Sequence, residues 1–353
     1  MSLKARLARQ IAASGPITVA EFMGVCLHDP EHGYYATRPA LGADGDFITA
    51  PLVSQMFGEV LGLWAVECWT RLGAPKHFSL IEMGPGDGTL MSDALRALPR
   101  IAPGFMAAAD LWLVETSAPL RALQAARLAD HAPRWAGSLA EVTGGVPMIL
   151  IANELLDCLP ARQFVVTARG WTERRVGLDK DGNLVFGLAA LPAGLGFPAA
   201  PEGSVLEVSA AQGALGAEVG ARVAADAGCA VFVDYGRDES GFGDTLQALL
   251  HHRKVDALAT AGEADLTVHA DFPAFAWAAQ GAGAQASPII PQSTFLARLG
   301  IVERAEALAG ARPDHAPVIE RQLHRLLAPD QMGTLFKAVA IHSSGLLVPG
   351  FED

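Results

Sequence analysis

Ile81-Glu82-Met83-Gly84-Pro85-Gly86-Asp87-Gly88 is the stretch that decides the fold, because it sets three glycines between an apolar strand and a helix. We predict a strand over 78–83, a glycine loop over 84–88 and a helix over 90–98. Glycine permits a tight turn and lets a ligand approach the backbone closely. The first turn of the following helix offers unpaired N–H groups. This arrangement predicts a nucleotide-like ligand at the carboxyl end of the strand.

The acids around the glycine loop indicate which cofactor binds. A dinucleotide loop has the spacing G-x-G-x-x-G, whereas this loop reads G-x-G-x-G, directly after Glu82. A carboxylate there would repel pyrophosphate and suits the cationic amino group of S-adenosylmethionine. Glu115, after the next predicted strand (111–114), is placed to accept hydrogen bonds from two ribose hydroxyls. The alternative is a structural turn with Glu115 as a helix-start acid. The predicted cofactor-binding residues are Glu82, Gly84, Pro85, Gly86, Gly88, Glu115 and Asn153.

Strands and helices alternate after residue 75, with further apolar strands predicted over 148–152, 230–233 and 335–341. Near-continuous apolar strands favour an α/β protein with a mostly parallel sheet and helices on both faces. Short β-like runs between 163 and 207, with an Asp181-Gly182 turn, predict an antiparallel insertion. C-terminal helices are predicted over 274–279, 295–299 and 318–327. Before residue 75 we predict helices, one of them beginning at a Thr18/Glu21 capping box, and a long loop.

Composition excludes several classes of protein. The chain has 353 residues and a formal net charge of -12, with no dense run of Lys or Arg, which argues against nucleic-acid binding. None of the four cysteines forms a C-x-x-C pair, so a zinc ribbon is not indicated. No apolar run is long enough for a membrane span. The basic first 14 residues predict an amphipathic helix rather than a transit peptide.

Several long motifs, in order along most of the chain, resemble the MidA family of methyltransferases. They are Gly45–Pro51 with Ser54–Glu59, Glu82–Gly88, Asn153–Asp157, Val233–Gly236, Ala264–Phe272 and Gly333–Lys337. The family includes the mitochondrial methyltransferase that helps to assemble respiratory complex I by dimethylating an arginine of one subunit. The resemblance implies a class I methyltransferase, Rossmann-like, with seven strands, one of them antiparallel. It also implies protein arginine methylation, with a complex I subunit as one candidate substrate.

The change of sequence pattern near residue 75 predicts a division of the chain, and the resemblance suggests a location. We predict an N-terminal helical region with a lid loop over 1–74 and a methyltransferase domain over 75–353. That domain would carry the insertion 163–207 and helical additions over 240–330. A bacterial protein would be cytoplasmic and a eukaryotic one mitochondrial. The oligomeric state is not predicted.

Four residues are predicted to act in catalysis: Asn153, Glu154, Asp157 and Asp46. A guanidinium is always protonated and therefore a poor nucleophile, so carboxylates facing it would localise its charge and accept its proton. Glu154 and Asp157 follow a strand's carboxyl end and would share a face of one helical turn. The alternative makes Asn153 a helix N-cap and Glu154 a first-turn acid. Asp46 would lie in a lid, or act as a turn acid.

Asp234, Tyr235 and His269 are predicted on the substrate side, although Tyr235 could instead cover the sheet edge and His269 be structural. No metal is predicted, because methyl transfer needs none and Thr267 and Val268 argue against a helix that would join Asp265 to His269. Three other functions stay open: a partner-binding assembly factor without catalysis, a small-molecule methyltransferase, and a nicotinamide oxidoreductase, which the glycine spacing disfavours.

Overall fold

The computed structural model describes residues 1–37 and 49–352. Its helices are α1 Leu3–Ser14, α2 Val19–His28, α3 Tyr34–Thr37, α4 Ala50–Val53, α5 Gln55–Arg71, α6 Thr89–Leu95, α7 Leu98–Ile101, α8 Pro103–Ala108, α9 Ala118–Arg127, α10 Ala210–Asp226, α11 Phe272–Gly281, α12 Gln292–Arg298, α13 Ile301–Ala311, α14 Ala316–Leu327 and α15 Met332–Leu335. Its strands are β1 Ile17–Thr18, β2 Phe78–Met83, β3 Ala109–Val114, β4 Arg134–Ala136, β5 Met148–Asn153, β6 Arg162–Thr167, β7 Gly170–Leu178, β8 Leu184–Ala190, β9 Val205–Val208, β10 Gly228–Arg237, β11 Gln247–Leu250, β12 Arg253–Val255, β13 Asp265–Thr267, β14 Ala270–Asp271, β15 Gln285–Ala286, β16 Ile290–Pro291 and β17 Phe336–His342.

A mixed sheet forms the centre of the molecule. Its order is β15-β17-β10-β5-β2-β3-β4, with β14 beside β10 and β16 beside β17. The five strands from β4 to β10 are parallel to one another, and β17 runs antiparallel to β10. The α/β class agrees with the prediction, but the predicted count of seven strands differs from the nine in the described residues. The nine include β14, β15 and β16, which have two residues each, too few to give an apolar pattern in the sequence. The six longer strands are one fewer than predicted.

The sheet is covered on both faces, which is why β2 and β5 are buried along their whole length. Ile149 and Ile151 share a core with α5, α6 and the C-terminal helices. Leu150, between them, packs on the opposite face with α10 and α11, as the alternation of side chains along a strand requires. Gly62 lets α5 approach α6, since a Cβ there would lie 2.3 Å from the Ala94 carbonyl oxygen.

The predicted antiparallel strands of the insertion are present as β6 to β9. The N-terminal strand β1 pairs with β7, and α1 and α2 share a third core with this sheet and with the small sheet β12-β11-β13. The predicted capping box is confirmed, because the Thr18 hydroxyl accepts the Glu21 N–H at 3.0 Å and the Glu21 carboxylate accepts the Thr18 N–H at 2.7 Å. The division at residue 74 stays a prediction.

Element boundaries differ from the predictions where prolines interrupt a helical pattern. The helix predicted over 90–98 ends at Leu95, and α7 and α8 begin anew with Pro99 and Pro103 in their first turns, a position that proline tolerates. The predicted C-terminal helices are found as α11, α12 and α14. Across the described residues, no helix combines the length and apolar character required to cross a membrane.

Candidate active site

A cavity of about 350 Å³ opens at the carboxyl ends of β2, β3 and β5, the edge at which doubly wound sheets bind ligands. Most of the residues predicted for cofactor binding and catalysis line it. They are Glu82, Gly84, Pro85, Gly86, Glu115, Asn153, Glu154 and Asp157. The sequence pattern therefore predicted a set of side chains that the fold brings to one place.

The glycine loop takes a backbone path that other residues adopt with strain. Gly84, Gly86 and Gly88 have φ angles of 68°, 54° and 82°, in the left-handed region that favours glycine. A Cβ on Gly84 would also lie 3.0 Å from Leu155. Gly88 does not line the cavity: it precedes α6, and its N–H bonds to the Pro85 carbonyl at 2.8 Å. Gly88 therefore contributes by forming the turn that orients the glycine loop.

Glu82 is a buried carboxylate with an unused oxygen. Its side chain lies in the cavity wall and is 2% exposed, and its Oε2 has no hydrogen-bond partner among the residues that the structure describes. Burial, together with nearby Asp87, holds the pKa of Glu82 well above its ordinary value. A buried polar atom without a partner is costly, and a cationic amino group would both satisfy it and favour its charged form. Glu82 thus fits the amino group of S-adenosylmethionine.

Glu115 and the glycine loop are joined by a residue that the sequence analysis missed. Gln124, fully buried on α9, donates to the Gly86 carbonyl at 2.7 Å and, more weakly, to the Glu115 carboxylate at 3.5 Å. Trp135 orients it by donating to its Oε1 at 2.8 Å. A polar residue at helical spacing from apolar Leu120 and Leu128 was the available signal.

Replacing Gln124 by leucine is expected to weaken S-adenosylhomocysteine binding and to lower the free energy of unfolding by about 1 kcal/mol, because the partly buried Gly86 carbonyl loses its donor. Calorimetric titration and urea unfolding would measure the two effects. The matched variant Trp135→Phe removes only the donor that orients Gln124, so its effect on binding should be smaller. Unchanged binding in Gln124→Leu would show that the loop does not depend on this contact.

Glu115 partly acts as the helix-start acid of the alternative interpretation. Its Oε1 accepts the Ser117 N–H at 2.7 Å, at the start of α9, and its main-chain carbonyl accepts from Arg121 at 2.7 Å. It nevertheless lines the cavity, and burial raises the pKa of its carboxyl group. Helix capping and a binding role are therefore compatible at this position.

No helix follows β5, so the predicted helical turn that would join Glu154 to Asp157 is wrong, as is an N-cap role for Asn153. The chain turns instead, with Glu154 at a φ of 51°. Its Oε1 accepts the Asn153 amide at 2.9 Å and the Ala50 N–H at 3.0 Å. Burial raises the pKa of Glu154 to about 7. The turn still directs both carboxylates into the cavity.

Asp157 is held by its backbone on both sides. Its N–H donates to Asp234 at 3.2 Å and its carbonyl accepts the Val268 N–H at 2.9 Å. Asp234 also accepts the Leu156 and Tyr235 N–H groups at 2.7 and 2.8 Å. Burial raises the pKa of Asp157 to about 6 and that of Asp234 well above its usual range. By accepting these hydrogen bonds, Asp234 holds in place the turn that carries Asp157.

Asp234, Tyr235 and His269 do not line the cavity, although we predicted them on the substrate side. The Tyr235 hydroxyl faces Asp157 and Thr267 without a hydrogen bond of ordinary geometry to either, and its ring meets His269 edge-on at 5.6 Å. Conversely, His28, Tyr35 and Asp265 line the cavity and were not predicted as site residues. They come from elements distant in sequence, and although Asp265 lies in the Ala264–Phe272 motif, no local pattern places it in the same cavity as His28 and Tyr35. Asp46 lies outside the described residues.

Comparison with known proteins assigns the family. Residues 60–290 match a family of S-adenosyl-L-methionine-dependent methyltransferases. The chain belongs to this family. It is a methyltransferase that uses S-adenosylmethionine, and the MidA-like resemblance of its motifs is confirmed.

Two kinds of relative extend this assignment. The protein arginine methyltransferase NDUFAF7, mitochondrial, of Mus musculus is 36% identical, over 94% of this chain and 82% of the relative. The Homo sapiens protein of the same name is 35% identical, over 94% and 81%. A crystal structure of a Burkholderia thailandensis protein bound to S-adenosyl-homocysteine is 29% identical with a TM-score of 0.82, covering 99% of this chain and 92% of that one. The methyltransferase thus shares its whole fold with a protein that holds the product form of the cofactor.

Proposed function

We propose that this methyltransferase transfers the methyl group of S-adenosylmethionine to an arginine side chain of a protein. The observation that carries the proposal is the pair Glu154 and Asp157, two carboxylates in the same cavity as the glycine loop. The name of the NDUFAF7 relatives supports the same acceptor class. The chain's net charge of -12 also favours a basic partner.

The roles of the residues follow from their chemistry. S-adenosylmethionine, when bound, supplies an electrophilic methyl group. Glu82, the glycine loop and Glu115 would hold and orient the cofactor. Binding it in the reactive orientation lowers the entropic part of the activation barrier. Asn153 and the Ala50 N–H hold the Glu154 carboxylate, and Glu154 would accept the proton that the guanidinium loses as a nitrogen is methylated. A base is most effective when its pKa lies near the working pH, and that of Glu154 is about 7.

The residues behind the cavity would act by positioning. Asp234 would hold the turn that carries Asp157, while Tyr235 and His269 would pack behind it. We retain Asp46, which lies outside the described residues, as a candidate catalytic residue. From the family resemblance, we propose a subunit of respiratory complex I as the first acceptor to test, and the cytoplasm as the location in a bacterial host.

The proposed acceptor is tested with S-adenosylmethionine labelled in its methyl group. The enzyme is incubated with arrayed peptides from complex I subunits, each paired with a copy in which arginine is replaced by lysine. Mass spectrometry of the hydrolysed products identifies the labelled amino acid. We expect label in methylarginine and in none of the lysine copies. Label in lysine, or only in small metabolites added to the reaction, would refute the arginine assignment.

A further inference from the structure

We propose that Asp265, oriented by Tyr35, is a specificity-determining residue that selects a guanidinium over an ammonium group. It lies in what we call the acceptor end of the cavity, the part lined by Asn153, Glu154, Asp157 and Asp265. This inference rests on the proposed function and names a residue that its mechanism does not use. Asp265 and Tyr35 lie on β13 and α3, outside the methyltransferase sheet, and both line the cavity together with Glu154 and Asp157. The enzyme would therefore read its acceptor through elements added to the common fold.

The geometry fixes Asp265 relative to Asp157. Asp265 is 6% exposed, and its Oδ1 accepts the Tyr35 hydroxyl at 3.0 Å. The segment after β13 is tied to the β5 turn, because the Val268 N–H donates to the Asp157 carbonyl. The carboxylates of Asp157 and Asp265 come from separate elements. A backbone hydrogen bond between those elements, rather than a flexible side chain, thus holds them at one end of the cavity.

Tyr35 keeps its proton in this environment. Burial and the neighbouring charge of Asp265 hold the pKa of the Tyr35 hydroxyl well above its ordinary value. It therefore remains a hydrogen-bond donor, and it orients one oxygen of Asp265. His28 stacks on its ring at 5.8 Å and lines the cavity beside it, which restricts the rotation of the ring.

The acceptor end also contains a polar atom in need of a donor. Asn153 is 9% exposed, and within the described part of the chain its Oδ1 has no hydrogen-bond partner, while its Nδ2 donates to Glu154. A guanidinium carries five N–H donors in a planar fork, whereas an ammonium is a compact charge with three. The acceptors come from two elements, with Asn153, Glu154 and Asp157 at the end of β5 and in the turn after it, and Asp265 on β13. Together they match the larger number of donors. The geometry thus favours arginine over lysine.

The test uses the full chain saturated with S-adenosylhomocysteine, and ethylguanidinium and ethylammonium as probes, with binding followed by NMR titration. Asp265→Asn keeps an oxygen that can accept from Tyr35 but removes the charge. We expect it to weaken ethylguanidinium binding about tenfold, because it removes a buried charge-assisted contact, and to weaken ethylammonium binding less. Tyr35→Phe leaves the charge and removes only its orientation, so the loss should be smaller.

Binding of S-adenosylhomocysteine should be unchanged in both variants, which shows that the fold and the cofactor end are intact. Asp110→Asn is the charge-matched control, because Asp110 lies half-exposed near the start of β3, beside Arg134. If Asp265→Asn binds ethylguanidinium like the wild type while Glu154→Gln loses it, this inference is overturned and the proposed function stands. If the wild-type protein shows no preference for ethylguanidinium over ethylammonium, both are overturned.

Discussion

Replacing Glu82 by glutamine is expected to weaken S-adenosylhomocysteine binding about 10- to 100-fold, because hydrogen bonds to charged groups contribute about 1.5–3 kcal/mol. Glutamine keeps the shape of the side chain but cannot become an anion. The burial that raises the pKa of Glu82 favours the protonated carboxyl in the free protein. The bound amino group would lower that pKa, so ligand binding should release a proton from the wild-type protein.

Calorimetry in buffers of different ionisation enthalpy measures this proton release directly. The wild type should release more protons on binding than Glu82→Gln, which has no carboxyl group to ionise at this position. The same raised pKa makes the cofactor-free protein lose stability as the pH rises above the ordinary carboxyl value of 4.5, and Glu82→Gln should flatten that slope. Glu67→Gln, on the exposed side of α5 where Glu67 pairs with Arg71, is the control. Equal affinity of Glu82→Gln and wild type for S-adenosylhomocysteine would remove Glu82 from the binding site.

Replacing Glu154 by glutamine is expected to lower kcat by about 10²- to 10⁴-fold, the usual contribution of a positioned general base. The variant should fold normally, because a glutamine oxygen can still accept from Ala50 and Asn153. Its affinity for S-adenosylhomocysteine should stay close to that of the wild type. Initial rates with the best acceptor peptide and calorimetric titration would separate the two effects.

The pH dependence provides an independent check on Glu154. A base must be ionised, so kcat/KM of the wild type should rise with pH through about 7, the pKa of Glu154. The pKa seen in kcat should be lower, since a bound cationic acceptor favours the ionised form. Full methyl transfer by Glu154→Gln would exclude it as the base and direct attention to Asp157, whose pKa is about 6.

The local sequence pattern was sufficient to predict the parallel sheet and the end of the cavity around the glycine loop, where we place the cofactor. The strand at 78–83 has the predicted bounds, because a short, mainly apolar run followed by a glycine loop specifies one local structure. Glu82 and Glu115 stand at fixed offsets from that loop and its following strand. Their convergence follows from the parallel order of β2 and β3, which brings the carboxyl ends of neighbouring strands together.

The arrangement of residues at the acceptor end depends on long-range contacts, which local sequence patterns do not show. Tyr35 and Asp265 are 230 residues apart, and they meet only because α2 and β13 share a core. The turn after β5 was mistaken for a helix, because Asn and Glu there fit a helix start equally well; the hydrogen bond from the Glu154 N–H to the Val233 carbonyl selects the other conformation.

The sequence by itself therefore determined the fold class, the glycine loop and the class of cofactor, because each depends on residues close together in the chain. Only the tertiary structure decided that Asp234 and Tyr235 support the cavity from behind, and that Gln124, Tyr35 and Asp265 complete it. Burial is a property of the folded chain, so the raised pKa values of Glu82 and Glu154 are set by packing.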